Sequence, residues 1–140
     1  MEGQDIIQSE TRPTPIRTAG TSIFFDGAKS GKLMLQRCLE CHQFNLTGYQ
    51  FCSYCLNPTE WIASEGLGRI NSFSIVTETS HPGFKELLPY VVAEVTLHEG
   101  PNLGLRLVGS NPESISIGQQ VQMSFLTEGA SEATPIWTVI

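Results

Sequence analysis

Positive charge is scarce in this 140-residue chain. Eight Lys and Arg stand against fourteen Asp and Glu, for a net charge of −6. From Glu86 onward Arg106 is the single cation among six acids: Glu86, Glu94, Glu99, Glu113, Glu128 and Glu132. Nucleic-acid binding draws most of its affinity from cation–phosphate contacts, so this stretch lacks what a nucleic-acid groove requires. No apolar run approaches the roughly 18 residues needed to cross a bilayer. The N-terminus, "MEGQDIIQSETRPTPIRT", lacks the basic-then-apolar pattern of a secretion signal. These absences predict a soluble, cytoplasmic protein that uses neither a membrane nor nucleic acid as partner.

Catalytic patterns are missing too. There is no Gly-x-Ser-x-Gly elbow, and "GLGRIN" reads as a turn into a strand rather than a phosphate loop. All four cysteines fall within "RCLECHQFNLTGYQFCSYC", so no thiol is spare for nucleophilic work. His81, in "ETSHPGFKELLPY", sits in the longest inter-strand loop and is the one candidate base, but a histidine before a Pro-Gly turn is usually a loop residue. His98, beside Glu99, reads as solvated. The chain is therefore expected to do no chemistry alone.

What is present is a pair of Cys-x-x-Cys turns, Cys38/Cys41 and Cys52/Cys55, ten residues apart. Two such turns on a hairpin can aim four thiolates at one tetrahedral ion and close its coordination shell, the signature of a structural zinc ribbon. Two disulfides are the rival reading, disfavoured in a reducing compartment. A redox Cys-x-x-Cys needs a βαβ context absent here. Four cysteines complete the shell, which leaves His42 outside it. The ribbon is expected over residues 37–62, with one structural Zn²⁺ on Cys38, Cys41, Cys52 and Cys55. Zinc knuckles favour glycine after the second cysteine, where φ is positive; His42 and Leu56 stand there instead.

The remainder has strand periodicity. "PYVVAEVTLHEG" alternates Val91, Ala93, Val95 and Leu97 against Val92, Glu94, Thr96 and His98. "GRINSFSIVTE", "NLGLRLVG", "QQVQMSFLTE" and "TPIWTVI" supply four more candidate strands, separated by "HEGPN", "SNPES", "SIGQQ" and "EGASEA". Five half-buried strands predict a mainly β protein whose residues 63–140 form a five-stranded OB-fold barrel. Residues 1–20 read as a flexible arm, with Pro13 and Pro15 opposing a helix. Residues 21–36 read as a short helix from about Ser22, broken by Gly27 and Gly31, then a lead-in strand through Leu33 and Leu35.

The order "GKLMLQRC", four-cysteine ribbon, "GLGRINSF", "PYVVAEVTLHEG", "SISIGQQVQ" resembles the zinc-ribbon plus OB-fold proteins labelled domain of unknown function 35, over roughly residues 24–125. The resemblance implies an accessory or scaffold subunit of a thiolase-fold enzyme, such as an acyl-CoA thiolase, acyltransferase or aldolase of lipid or polyketide metabolism, that helps accommodate or channel acyl-CoA. The family usually carries proline between the cysteine pairs and glycine after each; this chain has "NLTGYQFC", His42 and Leu56. Candidate CoA or partner contacts are Arg69, Lys85, Phe84, Tyr49 and His81. Phe84, Leu87 and Leu88, with Phe44, Tyr49 and Phe51 on the ribbon and Ile16 and Ile23 before it, are apolar residues that a small core cannot all absorb. The rival readings are a single-stranded nucleic-acid-binding OB-fold protein, with Phe73 and Tyr90 as stacking platforms, and a stand-alone acyl-CoA-binding protein.

Overall fold

A computed structural model describes residues 15–127 and 132–140. The arm expected over residues 1–20 lies outside the described residues as far as residue 14. Among the described residues one helix, α1 (Ser22–Lys29), precedes a three-stranded sheet of β1 (Met34–Cys38), β2 (Phe44–Asn45) and β3 (Thr59–Ala63), in the order β2-β1-β3. Five strands follow: β4 (Leu67–Val76), β5 (Tyr90–Leu97), β6 (Asn102–Leu107), β7 (Gln120–Leu126) and β8 (Thr134–Val139). They close in the order β4-β5-β6-β8-β7 and back to β4. The β6–β8 contact is parallel, at Leu107 and Trp137, and every other pairing is antiparallel. This is the five-stranded barrel that the alternation predicts, with the connectivity of an OB-fold.

The barrel closes because one face of each strand is apolar. Ile70, Val91, Ala93, Val95, Leu97, Leu107, Val121 and Trp137 form its buried core. β4 reaches across two neighbours by means of a bulge between Ile70 and Ser72. Gly68 sits at the closest approach, where a Cβ would stand 2.5 Å from both the Thr96 carbonyl oxygen and Val95 Cγ1. Leu33 and Leu35, from the lead-in to the ribbon, are buried in the same cluster, so the ribbon is rooted in the barrel core rather than hung from it. The link is completed by the Ser64 N–H, which donates to the Leu33 C=O at 2.7 Å.

Gly27 does not break α1, contrary to expectation. The helix runs through it to Lys29, and a Cβ there would stand 2.5 Å from Met34 Cγ. The glycine lets the helix lie close against β1. Gly31, at φ +76°, does follow the helix end.

α1 is tied to the far end of the chain by Arg17. Its Nε and Nη2 donate to the two carboxylate oxygens of Glu132, each at 3.0 Å, and Nη1 donates to Asp26 Oδ1 at 2.6 Å and to the Ser22 carbonyl at 3.2 Å. The same guanidinium lies 5.7 Å from the Phe25 ring centroid. Nothing in the local pattern of Arg17 or Glu132 signals this contact across 115 positions.

Candidate metal centre

The two Cys-x-x-Cys turns face each other. All four Sγ atoms lie within 4.8 Å of one another, with Cys38 to Cys55 at 3.4 Å and Cys41 to Cys52 at 3.7 Å. A disulfide needs about 2.05 Å, so the thiols are free. Four sulfurs each roughly 2.3 Å from a tetrahedral ion stand about 3.8 Å apart. The cluster fits such an ion with little adjustment, and no position is left open. Cys38 and Cys52 are fully buried, while Cys41 and Cys55 lie at the rim.

Each turn is built the same way. The Cys38 N–H donates to the Gln43 carbonyl at 2.9 Å, and the Cys52 N–H to the Asn57 carbonyl at 2.8 Å. Closing this loop forces the residue after the second cysteine into the left-handed region: His42 has φ +63° and Leu56 φ +67°. These are the two positions where glycine was expected, and the structure adopts the glycine conformation without the glycine. The penalty for an L-residue is about 1–2 kcal/mol each.

Backbone and amide donors surround the sulfurs. Glu40 and Cys41 N–H groups point at Cys38 Sγ at 3.4 and 3.3 Å, and the Tyr54 N–H at Cys52 Sγ at 3.3 Å. Asn45 Nδ2 donates to Cys52 at 3.5 Å and Asn57 Nδ2 to Cys55 at 3.3 Å. Burial pushes the Cys52 thiol up, but Asn45, the backbone N–H groups of Tyr54 and Cys55, and Cys41 outweigh it and bring it down to about 6. Asn57, by backbone and side chain, lowers Cys55. Cys41 moves up to about 12: the Gln43 backbone favours its thiolate, but burial and the three neighbouring thiols favour the protonated form. The surroundings of Cys52 and Cys55 favour the thiolate, which is the form that ligates a metal, and those of Cys41 favour the thiol, whose proton a bound cation would displace.

The other predicted residues do not converge on this centre. His81 caps the short 3₁₀ turn Pro82–Leu87, its Nδ1 accepting from the Gly83 N–H at 3.1 Å. Phe84 is half-buried between His81 and Tyr90, with centroids 5.4 and 6.2 Å away, so the loop folds over its own aromatics. Lys85 is exposed and lines a broad surface depression of about 750 Å³ with Thr77, Glu78, Thr79, Ser80 and Leu88. Arg69 lies near the other end of β4, where its Nη1 donates to the Gly118 carbonyl at 2.9 Å. The seven steps from Arg69 to Val76 span roughly 23 Å of strand, which sets Arg69 at the far end of β4 from the depression that Lys85 lines. Tyr49 is exposed on the ribbon. Phe44, expected on the surface, packs against the core and lies beneath Arg37, 6.0 Å from its centroid. Among the described residues, no helix is long and apolar enough to cross a membrane.

A ribbon of four cysteines rooted in an OB-fold barrel defines a class of two-part β proteins. Residues 61–126 match the family model of the ChsH2 C-terminal OB-fold domain. The chain is 36% identical over 91 residues to a DUF35 domain-containing scaffold protein of Methanothermobacter thermautotrophicus, covering 64% of this chain and 68% of that protein. The chain belongs to the DUF35 family. It is also 31% identical over 128 residues to a probable enoyl-CoA hydratase alpha subunit of Thermomonospora curvata, covering 90% of this chain but 39% of that subunit. It thus spans about two-fifths of the length of that relative. Among solved structures, the Ltp2-ChsH2(DUF35) aldolase superposes with a TM-score of 0.78 at 29% identity, covering 89% of this chain and 98% of that one.

Proposed function

We propose that this chain is a non-catalytic scaffold subunit that docks on a thiolase-fold enzyme and helps seat the CoA of its thioester substrate. The observation that carries the reading is the near-complete superposition on the DUF35 chain of a structure described as an aldolase, and the scaffold description of the Methanothermobacter relative supports it. The side chains agree with it. Every thiol is engaged in one cluster, and the His81 ring nitrogen that faces its own backbone is occupied by Gly83.

An all-thiolate, closed tetrahedral site suits Zn²⁺. Cys38, Cys41, Cys52 and Cys55 would hold it, and its contribution is to fold the ribbon. A reducing cytoplasm would keep the thiols available as ligands. Of the two candidate cations, Lys85 is the better partner for a CoA phosphate, because hydroxyls of Thr77, Thr79 and Ser80 share its depression while the Arg69 guanidinium is engaged by Gly118. The nucleic-acid reading loses support on the outer face of β4 and β5. Arg69, Ser72, Ser74, Val92, Glu94 and Thr96 are exposed there, with one cation, one acid and no aromatic. Phe73 packs against the core instead, and Tyr90 lies against Phe84.

The test is co-elution. A tagged chain expressed in its native host should carry a thiolase-fold subunit in stoichiometric amount, and the isolated chain should turn over no acyl-CoA. Turnover by the pure chain that disappears in His81→Ala would overturn the scaffold reading.

A further inference from the structure

Leu56 is disfavoured twice over. It holds a left-handed backbone at φ +67°, and its side chain is 77% exposed. Glycine would satisfy the same turn without the steric penalty and without leaving an isobutyl group in water. The fold of the free chain therefore does not account for a leucine here.

Its surroundings do. Leu39 in the first turn is 48% exposed, and its N–H donates to the Pro58 carbonyl at 3.0 Å, which sets the two knuckles side by side. Tyr54, 67% exposed, lies between Cys52 and Cys55 on the same knuckle as Leu56. Hydrogen bonds within the two cysteine turns tie down the backbone around all three, and a preformed surface of this kind is what a binding anchor requires. Glu40 is exposed beside Leu39, on a chain of net charge −6.

We infer that Leu39, Tyr54 and Leu56 form the principal docking anchor, and that its occupant is the thiolase-fold subunit, presenting an apolar depression rimmed by basic side chains. The inference rests on the scaffold reading above. Burial of Leu56 in the partner offsets the strain that the free chain carries. The cationic rim follows from charge complementarity to Glu40 and to the acidic chain.

The experiment compares the metal-loaded wild type with Leu56→Gly. Both are melted as free chains, then titrated with the thiolase-fold subunit identified by mass spectrometry as the wild type's co-eluting partner and purified. Leu56→Gly should raise the melting temperature by about 2–6 °C, because it removes backbone strain. It should weaken binding about tenfold or more, as loss of a central apolar anchor does. Leu56→Met, which keeps the apolar reach, should bind within a few-fold of wild type. Unchanged binding by Leu56→Gly, or a lowered melting temperature, overturns the anchor while leaving the scaffold reading intact. Absence of any thiolase-fold subunit from the wild-type eluate overturns both. A concentration-dependent dimer of the wild type that Leu56→Gly dissolves would make the occupant a second copy of this chain, which also overturns the inference.

Discussion

The ribbon and the barrel are both small antiparallel structures, yet different forces hold them. The barrel buries Ile70, Val91, Val95, Leu97, Leu107, Val121 and Trp137 in one apolar cluster. The ribbon's most buried side chains outside that cluster are Cys38, Cys52, Asn45 and Gln36, all of them polar or ligating in role. Gln36 Oε1 accepts from the Gly48 and Tyr49 N–H groups at 2.7 and 2.8 Å, and its Nε2 donates to Thr59 Oγ1 at 3.1 Å. Asn45 Oδ1 accepts from the Ser53 N–H and hydroxyl at 3.0 and 2.7 Å while its Nδ2 reaches Cys52. Meanwhile Leu39, Tyr49, Phe51, Tyr54 and Leu56 remain exposed. A hairpin of this size cannot bury enough apolar area to order itself, so it relies on a polar network around four thiols and leaves its large apolar residues at the surface.

That contrast breaks most visibly at the four-cysteine cluster. Chelation, or Cys52→Ser, should remove one bound ion per chain and disorder residues 37–58, since structural zinc sites of this kind contribute on the order of 10 kcal/mol. Hydrogen exchange should show the ribbon unprotected and β4–β8 still protected; loss of protection throughout would mean that barrel and ribbon form one cooperative unit. Leu33 and Leu35 should stay protected with the barrel, whose core they share.

The converse substitution is Trp137→Ala. The side chain is fully buried at the β6–β8 junction, and its loss should destabilise the barrel by about 3–5 kcal/mol. Thermal unfolding should reveal a lowered midpoint, with metal stoichiometry unchanged below it. A smaller effect is expected in the ribbon's polar network. Gln36→Ala leaves two backbone N–H groups without their acceptor, a loss of about 1–3 kcal/mol. Chelator titration should then strip the metal more readily than from wild type.

The smallest effect concerns the Arg17 tie, which belongs to neither part. Its hydrogen bonds hold the Glu132 carboxyl below the ordinary carboxylate range, against the upward push of burial and with help from the charges of Arg17 and Lys29. The folded value is the lower one. The stabilisation is therefore fully present above the unfolded value of about 4.3 and is lost as pH falls through the folded value. Arg17→Met should flatten that acid limb of the stability curve and raise hydrogen exchange in α1. An unchanged pH profile would mean that the tie adds nothing to stability.

Much of the molecule follows from the chain read alone. The cysteine spacing sets the four-thiol cluster, because a Cys-x-x-Cys turn is a local structure and two of them need only a short hairpin to meet. Alternation sets the five strands, because the side-chain period of a strand is two regardless of what it packs on. The family order follows from the same local motifs. Tertiary structure alone decides the rest. Arg17 meets Glu132, Gly27 yields to Met34 instead of ending its helix, Leu33 and Leu35 enter the barrel core, and Phe84 folds inward against Tyr90. Arg69 and Lys85 fall at opposite ends of β4, although both read as candidates for one ligand. The physical reason is common to all of these. Periodicity and turn chemistry are properties of neighbours in sequence, whereas these contacts exist only after the barrel has closed and brought distant segments into register.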